Sequence, residues 1–178
     1  MQSFRDPEAG VVNLSHSNEI YERILALLQQ QNVGYQLIEH ASEGRTDLAS
    51  RIRGHRLEEA AKALVIAVKE GKLTRRHFLV VVSGDRRVDF DAVARLGGGR
   101  KATFATPERA TELTGCVMGA VPPFSFHGQL ELVVDPMLLE QERIVFNAGR
   151  LDRSISMLSE DYRNLIGPRI DDVALRVD

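Results

Sequence analysis

Two apolar runs constrain this chain most: 62–69, KALVIAVK, and 77–83, HFLVVVS, both rich in β-branched residues and separated by a Glu70-Gly71 turn signal. Their length and spacing predict an antiparallel hairpin. A two-stranded hairpin is marginal in water, so other elements must cover its faces.

The flanking sequence supplies them. NEIYERILALLQQQN places Ile20, Ile24, Leu25, Leu27 and Leu28 at helical spacing, with a stop at 32–34. VGYQLIEH alternates as a short strand. ASEGRTDLASRIRG reads as a loop entering a helix capped near Thr46 or Asp47, and LEEAA as a further helical turn. DFDAVARLGGG is a helix with Asp89 at its N-cap, and TPERATELTG one with Thr106 at N-cap, Pro107 at N1 and Gly115 past its end. KATFA, QLELVVD, RIVFNAG and SISML read as strands, and Ser159 as the cap of a last helix stopped by Gly167-Pro168. Strands follow one another with helices between only some of them, and no repeat is visible. The expected fold is α+β: a mixed, curved, barrel-like β-sheet flanked by helices, in one domain over 18–170. Residues 1–17 are expected as a flexible N-terminal tail and 171–178 as a C-terminal tail.

Chemistry is bounded next. Cys116 is the single cysteine and the five histidines are scattered, which excludes a CxxC or HExxH pattern, so no metal and no cofactor are expected. No apolar run approaches the roughly 18 residues of a membrane span, and a cytoplasmic protein is expected. The net charge of −2 conceals an asymmetry. Residues 45–109 carry fifteen Lys and Arg against eight Asp and Glu, whereas both flanks are acidic. A basic middle suits an anionic partner, although solvated surface arginines give the same count.

Individual positions are open to two readings. Gly97-Gly98-Gly99 follows a helix and lacks the phosphate-loop pattern, so it reads as a helix stop. Lys62 shares a strand face with Leu64, Ile66 and Val68; it either snorkels to water or points into a pocket as a compact cation. TGCVMGAVPPFSFHG, 114–128, is long for a connector. Gly119 would let a substrate approach backbone N–H groups, Pro122 and Pro123 stiffen the loop, and Phe124 and Phe126 either pack as core or offer a stacking face. Asp135 before Pro136 suits a turn cap, and Asn147 in Asn147-Ala148-Gly149 suits a turn. No Ser/His/Asp set is local.

Taken together, AAKALVIAV, TGCVMGAVPPFSF, LVVDPML and IVFNAGRLDRSI resemble the YbaK/prolyl-tRNA-synthetase-associated editing domain family, most closely its free-standing YeaK-like branch. The likeness runs from about Ile20 to Gly167. It implies hydrolysis, in trans, of the ester joining a wrong small amino acid of the Ser, Thr or Ala type to tRNA. The family's essential lysine, which contacts the terminal adenosine's phosphate or ribose, falls on Lys62. Its carbonyl-positioning loop falls on Gly119, Ala120, Val121, Pro122 and Pro123, with Phe124 following. Asp135, Asn147 and Gly149 match positions lining the same pocket, and Lys62, Gly119 and Asp135 are the implied catalytic set. Many members carry a proline-containing segment with a threonine after the histidine that ends the first strand; here His40 is followed by ASEGRT, and Thr46 lies nearest that position. The implied partners are the 3′-aminoacyl end of tRNA and, secondarily, an aminoacyl-tRNA synthetase, with neither DNA nor a membrane. The alternatives are a non-catalytic tRNA- or synthetase-binding module of the same fold, and a hydrolase of another small acyl ester.

Overall fold

The hairpin is the centre of the molecule. In the computed structural model, which describes the backbone of residues 8–176 and the side chains of 18–176, β2 (Ala61–Lys69) and β3 (Arg75–Ser83) pair antiparallel from Ala61 opposite Ser83 to Lys69 opposite Arg75. Strand β4 (Lys101–Phe104) adds antiparallel to β2, while β5 (Leu130–Val134) and β8 (Arg169–Ile170) extend the other side in parallel. The order is β4-β2-β3-β5-β8, a mixed sheet as expected. A second, antiparallel sheet, ordered β1-β7-β6, is built from β1 (Tyr35–Glu39), β7 (Arg153–Leu158) and β6 (Arg143–Arg150). There are therefore two sheets where one was expected; a parallel bridge between Ala60 and Val145 joins them.

Alternation along the hairpin divides the core in two, since successive side chains leave a strand on opposite faces. Val65, Leu79 and Val81 join the larger cluster, which lies among the sheets and helix α1 (Glu8–Gln30) and includes Ile24, Leu28, Phe146 and Tyr162. Ile66, Val68, Phe78, Val80 and Val82 face the other way, onto helix α3 (Phe90–Leu96) and Val173. Ile66, Val68 and Phe78 are wholly buried, and each side chain of this kind contributes about 1.5–3 kcal/mol.

Local signals account for several ends. Asp89 accepts from the Ala92 N–H at the start of α3. Thr106 accepts from the Arg109 N–H at the start of α4 (Pro107–Thr114), and Gly115 closes that helix at φ 69°. Two expected caps are replaced. Helix α2 (Thr46–Arg53) takes Arg45 as its N-cap, with Thr46 already helical; α6 (Ser159–Ile166) takes Leu158, and Ser159 Oγ meets no partner among the described residues. In both, the chain enters the helix one residue earlier than its hydroxyl signal.

Helix α1 begins at Glu8, inside the span expected as a tail; residues 1–7 lie outside the described residues. The described part of the C-terminal segment, 171–176, is held against the sheet and helix α3. Val173 is buried, its carbonyl accepts from the Asp89 N–H, and Ala174 bridges to Val88.

Candidate active site

Where α2 and the loop after α4 meet the start of β2, the chain leaves a pocket of about 370 Å³, within the range of small-ligand sites. Small residues from three directions make the room: Ala49 from α2, Ala60, Ala61 and Ala63 on and beside β2, and Ala105 and Ala110 around α4. Phe104 and Met118, 60% and 69% exposed, also line it and mark its outer side.

Of the residues singled out from sequence, Thr46, Lys62, Gly119, Val121 and Asn147 line this pocket. Lys62 Nζ donates to the carbonyls of Gly84 and Arg86, in the turn after β3. Burial lowers its pKa, the nearby Asp85 carboxylate opposes that shift, and Arg87 reinforces it. A lysine stem on an apolar face thus ends in a polar carbonyl cradle.

Gly119 has φ +86°, the left-handed region that glycine tolerates. The direction a side chain would take is filled by protein: a Cβ there would lie 2.6 Å from Gly44 Cα. The expected close approach is therefore made by another loop rather than left to a substrate. Asn147 binds the two loops together, its Nδ2 donating to the carbonyls of Glu43 (3.0 Å) and Gly119 (2.9 Å).

The rest of the TGCVMGAVPPFSFHG loop faces inward. Ala120 is fully buried and its carbonyl accepts from the Gly149 N–H. Pro122 and Pro123 are buried, and the Pro123 carbonyl accepts from Tyr162 Oη at 2.7 Å. Phe124 packs edge-on against Tyr162 and beside Phe146 in the core, while Phe126 is stacked on Phe124 with the Arg23 guanidinium over its ring. Phe124 thus presents no stacking face to a base. Gly149, φ +78°, does not end a strand; with Asn147 it lies in a register shift inside the β6–β7 ladder.

Asp135 stands apart from the pocket lining. Oδ1 accepts from the Met137 N–H at the start of the short helix α5 (Pro136–Leu139), and Oδ2 from the Val173 and Ala174 N–H groups. Its carboxylate is 2% exposed and fully engaged with backbone. Cys116 is buried too, and burial pushes its thiol up to about 12, so a ready thiolate is not on offer.

Sequence reasoning missed Arg53. It comes from the last turn of α2 and lines the pocket, where Nη1 donates to Asn147 Oδ1 (3.3 Å) and Ser154 Oγ (3.1 Å). Ser154 Oγ in turn donates to Asn147 Oδ1 (2.8 Å) and lies 2.7 Å from His40 Nε2. Burial draws the Arg53 pKa down to about 10. One arginine among nineteen carries no local signal; its distinction is the set of residues, far away in sequence, that it meets.

The geometry is that of a small, largely apolar pocket with two cations and an amide-fixed glycine turn. Such a site can orient an activated ester and polarise its carbonyl. Residues 45–165 match the family described as aminoacyl-tRNA editing domain. The chain is 38% identical over 161 residues to the Multifunctional Ser/Thr-tRNA deacylase ProXp-y of Escherichia coli (strain K12), covering 90% of this chain and 96% of that protein. It is 23% identical over 149 residues to the Prolyl-tRNA editing protein ProX of Acetoanaerobium sticklandii, covering 82% and 89%. A crystal structure described as a candidate trans-editing enzyme for prolyl tRNA synthetase superposes with a TM-score of 0.74 at 26% identity, covering 88% of this chain and 98% of that one.

Proposed function

This chain belongs to the aminoacyl-tRNA editing domain family, and from that premise we propose that it is a trans-editing deacylase that hydrolyses the ester of mischarged small amino acids, of the Ser and Thr type, on tRNA. The observation that carries the reading is the near full-length match to a Ser/Thr-tRNA deacylase, on a chain whose pocket is sized for a small acyl group. Its place of action is the cytoplasm, where charged tRNA is found.

The chemistry asks little of the protein, because an aminoacyl ester is already activated. Water adds to the ester carbonyl, the C–O bond to the ribose breaks, and the ribose oxygen leaves with the proton that water gives up. Lys62 holds the phosphate or ribose of the terminal adenosine as a compact cation. The turn at Gly119, with Val121 beside it, positions the carbonyl, and Asn147 keeps that turn in place. Thr46 contributes to the wall that meets the acyl group. Asp135, Ala120, Pro122, Pro123, Phe124 and Gly149 support this arrangement from behind the lining.

The test is release of amino acid from a panel of charged tRNAs by the wild-type chain and by Lys62→Ala. The expected result is release of Ser or Thr by wild type and loss of it in the variant. A wild type that binds charged tRNA in a salt-sensitive way but leaves every ester intact would make this a binding module instead.

A further inference from the structure

The pocket holds a cation that meets no counter-charge among the described residues. Among the described residues no carboxylate lies within ion-pair distance of Arg53, although nine other pairs occur. Its Nη1 meets two neutral oxygens, and Nε is buried without an acceptor. That leaves Nη2 of the guanidinium without an acceptor among the described residues, on a residue that lines the pocket. Lys62 is different, since two carbonyls and the field of Asp85 already serve it. Arg53 is half-buried, with its Nε out of reach of water, and a partly desolvated charge without a counter-charge is costly unless an anion arrives during function.

Position selects which anion. Arg53 is tied to Asn147 and Ser154, which are 8% and 0% exposed, and the same Asn147 amide holds the Gly119 carbonyl. The guanidinium and the Gly119 turn therefore sit on the two ends of one side-chain amide. The exposed Phe104 and Met118 lie on the open side, where a polynucleotide has to leave the pocket. A backbone phosphate belongs on that open side, and the acyl group belongs by Asn147.

We propose that Arg53 is a catalytic residue of the deacylation, its free guanidinium edge facing the oxyanion that develops on the ester carbonyl oxygen. When water's oxygen bonds to the carbonyl carbon, the C=O π pair moves onto that oxygen and is met by a fixed positive charge. When the pair returns, the ester C–O bond breaks, and the ribose oxygen takes up the proton lost by water. The inference rests on the deacylase reading of the pocket.

Two substrates separate it from the alternatives: seryl-tRNA, and 3′-O-seryl-adenosine, which has the same ester but no phosphate. Arg53→Gln is expected to lower kcat by about 100-fold or more on both, as loss of one oxyanion donor does elsewhere. KM should stay within about three-fold, as for an interaction made only in the transition state. Arg53→Lys, which keeps a charge but not the fork, recovers part of the loss, and its thermal melt stays near that of wild type. A defect confined to the tRNA substrate would make Arg53 a phosphate contact and overturn the proposal. So would an effect on KM alone, unchanged kcat, or a kcat loss that follows the melting temperature across the variants. A wild type inactive on both substrates sinks the deacylase reading itself, which keeps the two failures distinct.

Discussion

The Asn147 side-chain amide donates to the Gly119 carbonyl at 2.9 Å, joining a strand bulge to a loop 28 residues earlier. The same amide nitrogen reaches Glu43, and its oxygen accepts from Ser154 and Arg53, so four of its contacts depend on one buried group. Asn147→Ala removes all of them and leaves buried donors and acceptors unpaired, at a cost of roughly 1–3 kcal/mol for each stranded group. The expected outcome is a lower melting temperature and a fall in kcat of about ten-fold or more per folded molecule, because the carbonyl-positioning turn is released. Single-turnover deacylation beside calorimetry checks both.

Gly119 and Gly44 form an asymmetric pair. A Cβ on Gly119 would meet Gly44 Cα at 2.6 Å and also needs φ +86°, whereas one on Gly44 first meets the Leu151 Cδ2 methyl at 3.3 Å. Gly119→Ala is therefore expected to cost about 1–3 kcal/mol from backbone strain alone, with the clash in addition. Gly44→Ala should cost clearly less. Urea denaturation of the two variants compares them, and equal midpoints would contradict the crossing as described.

Asp135 decides between a role in catalysis and a role in the fold. Its carboxylate accepts from Met137, Val173 and Ala174, which ties the C-terminal segment to the end of β5. Asp135→Ala is expected to lose on the order of 3 kcal/mol, since hydrogen bonds to charged groups are among the stronger ones. Activity per folded molecule should stay near wild type, and proteolysis within 171–178 should accelerate. A variant that melts normally but is inactive would return Asp135 to the chemistry.

Lys62 links the pocket to pH. Burial, helped by Arg87 and opposed by Asp85, places its pKa below the ordinary lysine value of 10.5. Between the two values the unfolded chain holds the proton that the folded chain has released, so stability contributed at this site rises with pH there. Below the folded pKa the charge is kept in both states and the burial penalty is carried in full. Lys62→Met is expected to flatten that alkaline rise in denaturant titrations. Catalysed deacylation, corrected for hydrolysis in buffer alone, should decline through the same window as the ammonium discharges.

The expected elements and their outcomes divide by range. The hairpin was legible because β-branched runs and a turn signal act within about twenty residues, and the Asp89 and Thr106 caps because a cap needs only its own helix. Ser159 shows the limit: a hydroxyl at a helix start reads the same whether it sits at the cap or one residue inside. Phe124 and Lys62 were equally ambiguous in sequence. Packing against Phe146 and Tyr162 sends the first into the core, and a carbonyl cradle at the turn after β3 draws the second to the pocket.

By itself the sequence determined the α+β class, most helix and strand positions, the family resemblance, and the placing of Lys62, Gly119 and Asn147 near one another through that resemblance. Only the tertiary structure decided that the strands form two bridged sheets, that Gly119 makes room for Gly44, that Asp135 anchors the C-terminal segment, and that Arg53 enters the pocket with no counter-charge among the described residues. The physical reason is separation along the chain. Propensities, caps and periodicity are local energies, whereas Arg53 and Asn147 lie 94 residues apart and meet only after both sheets have closed around the core.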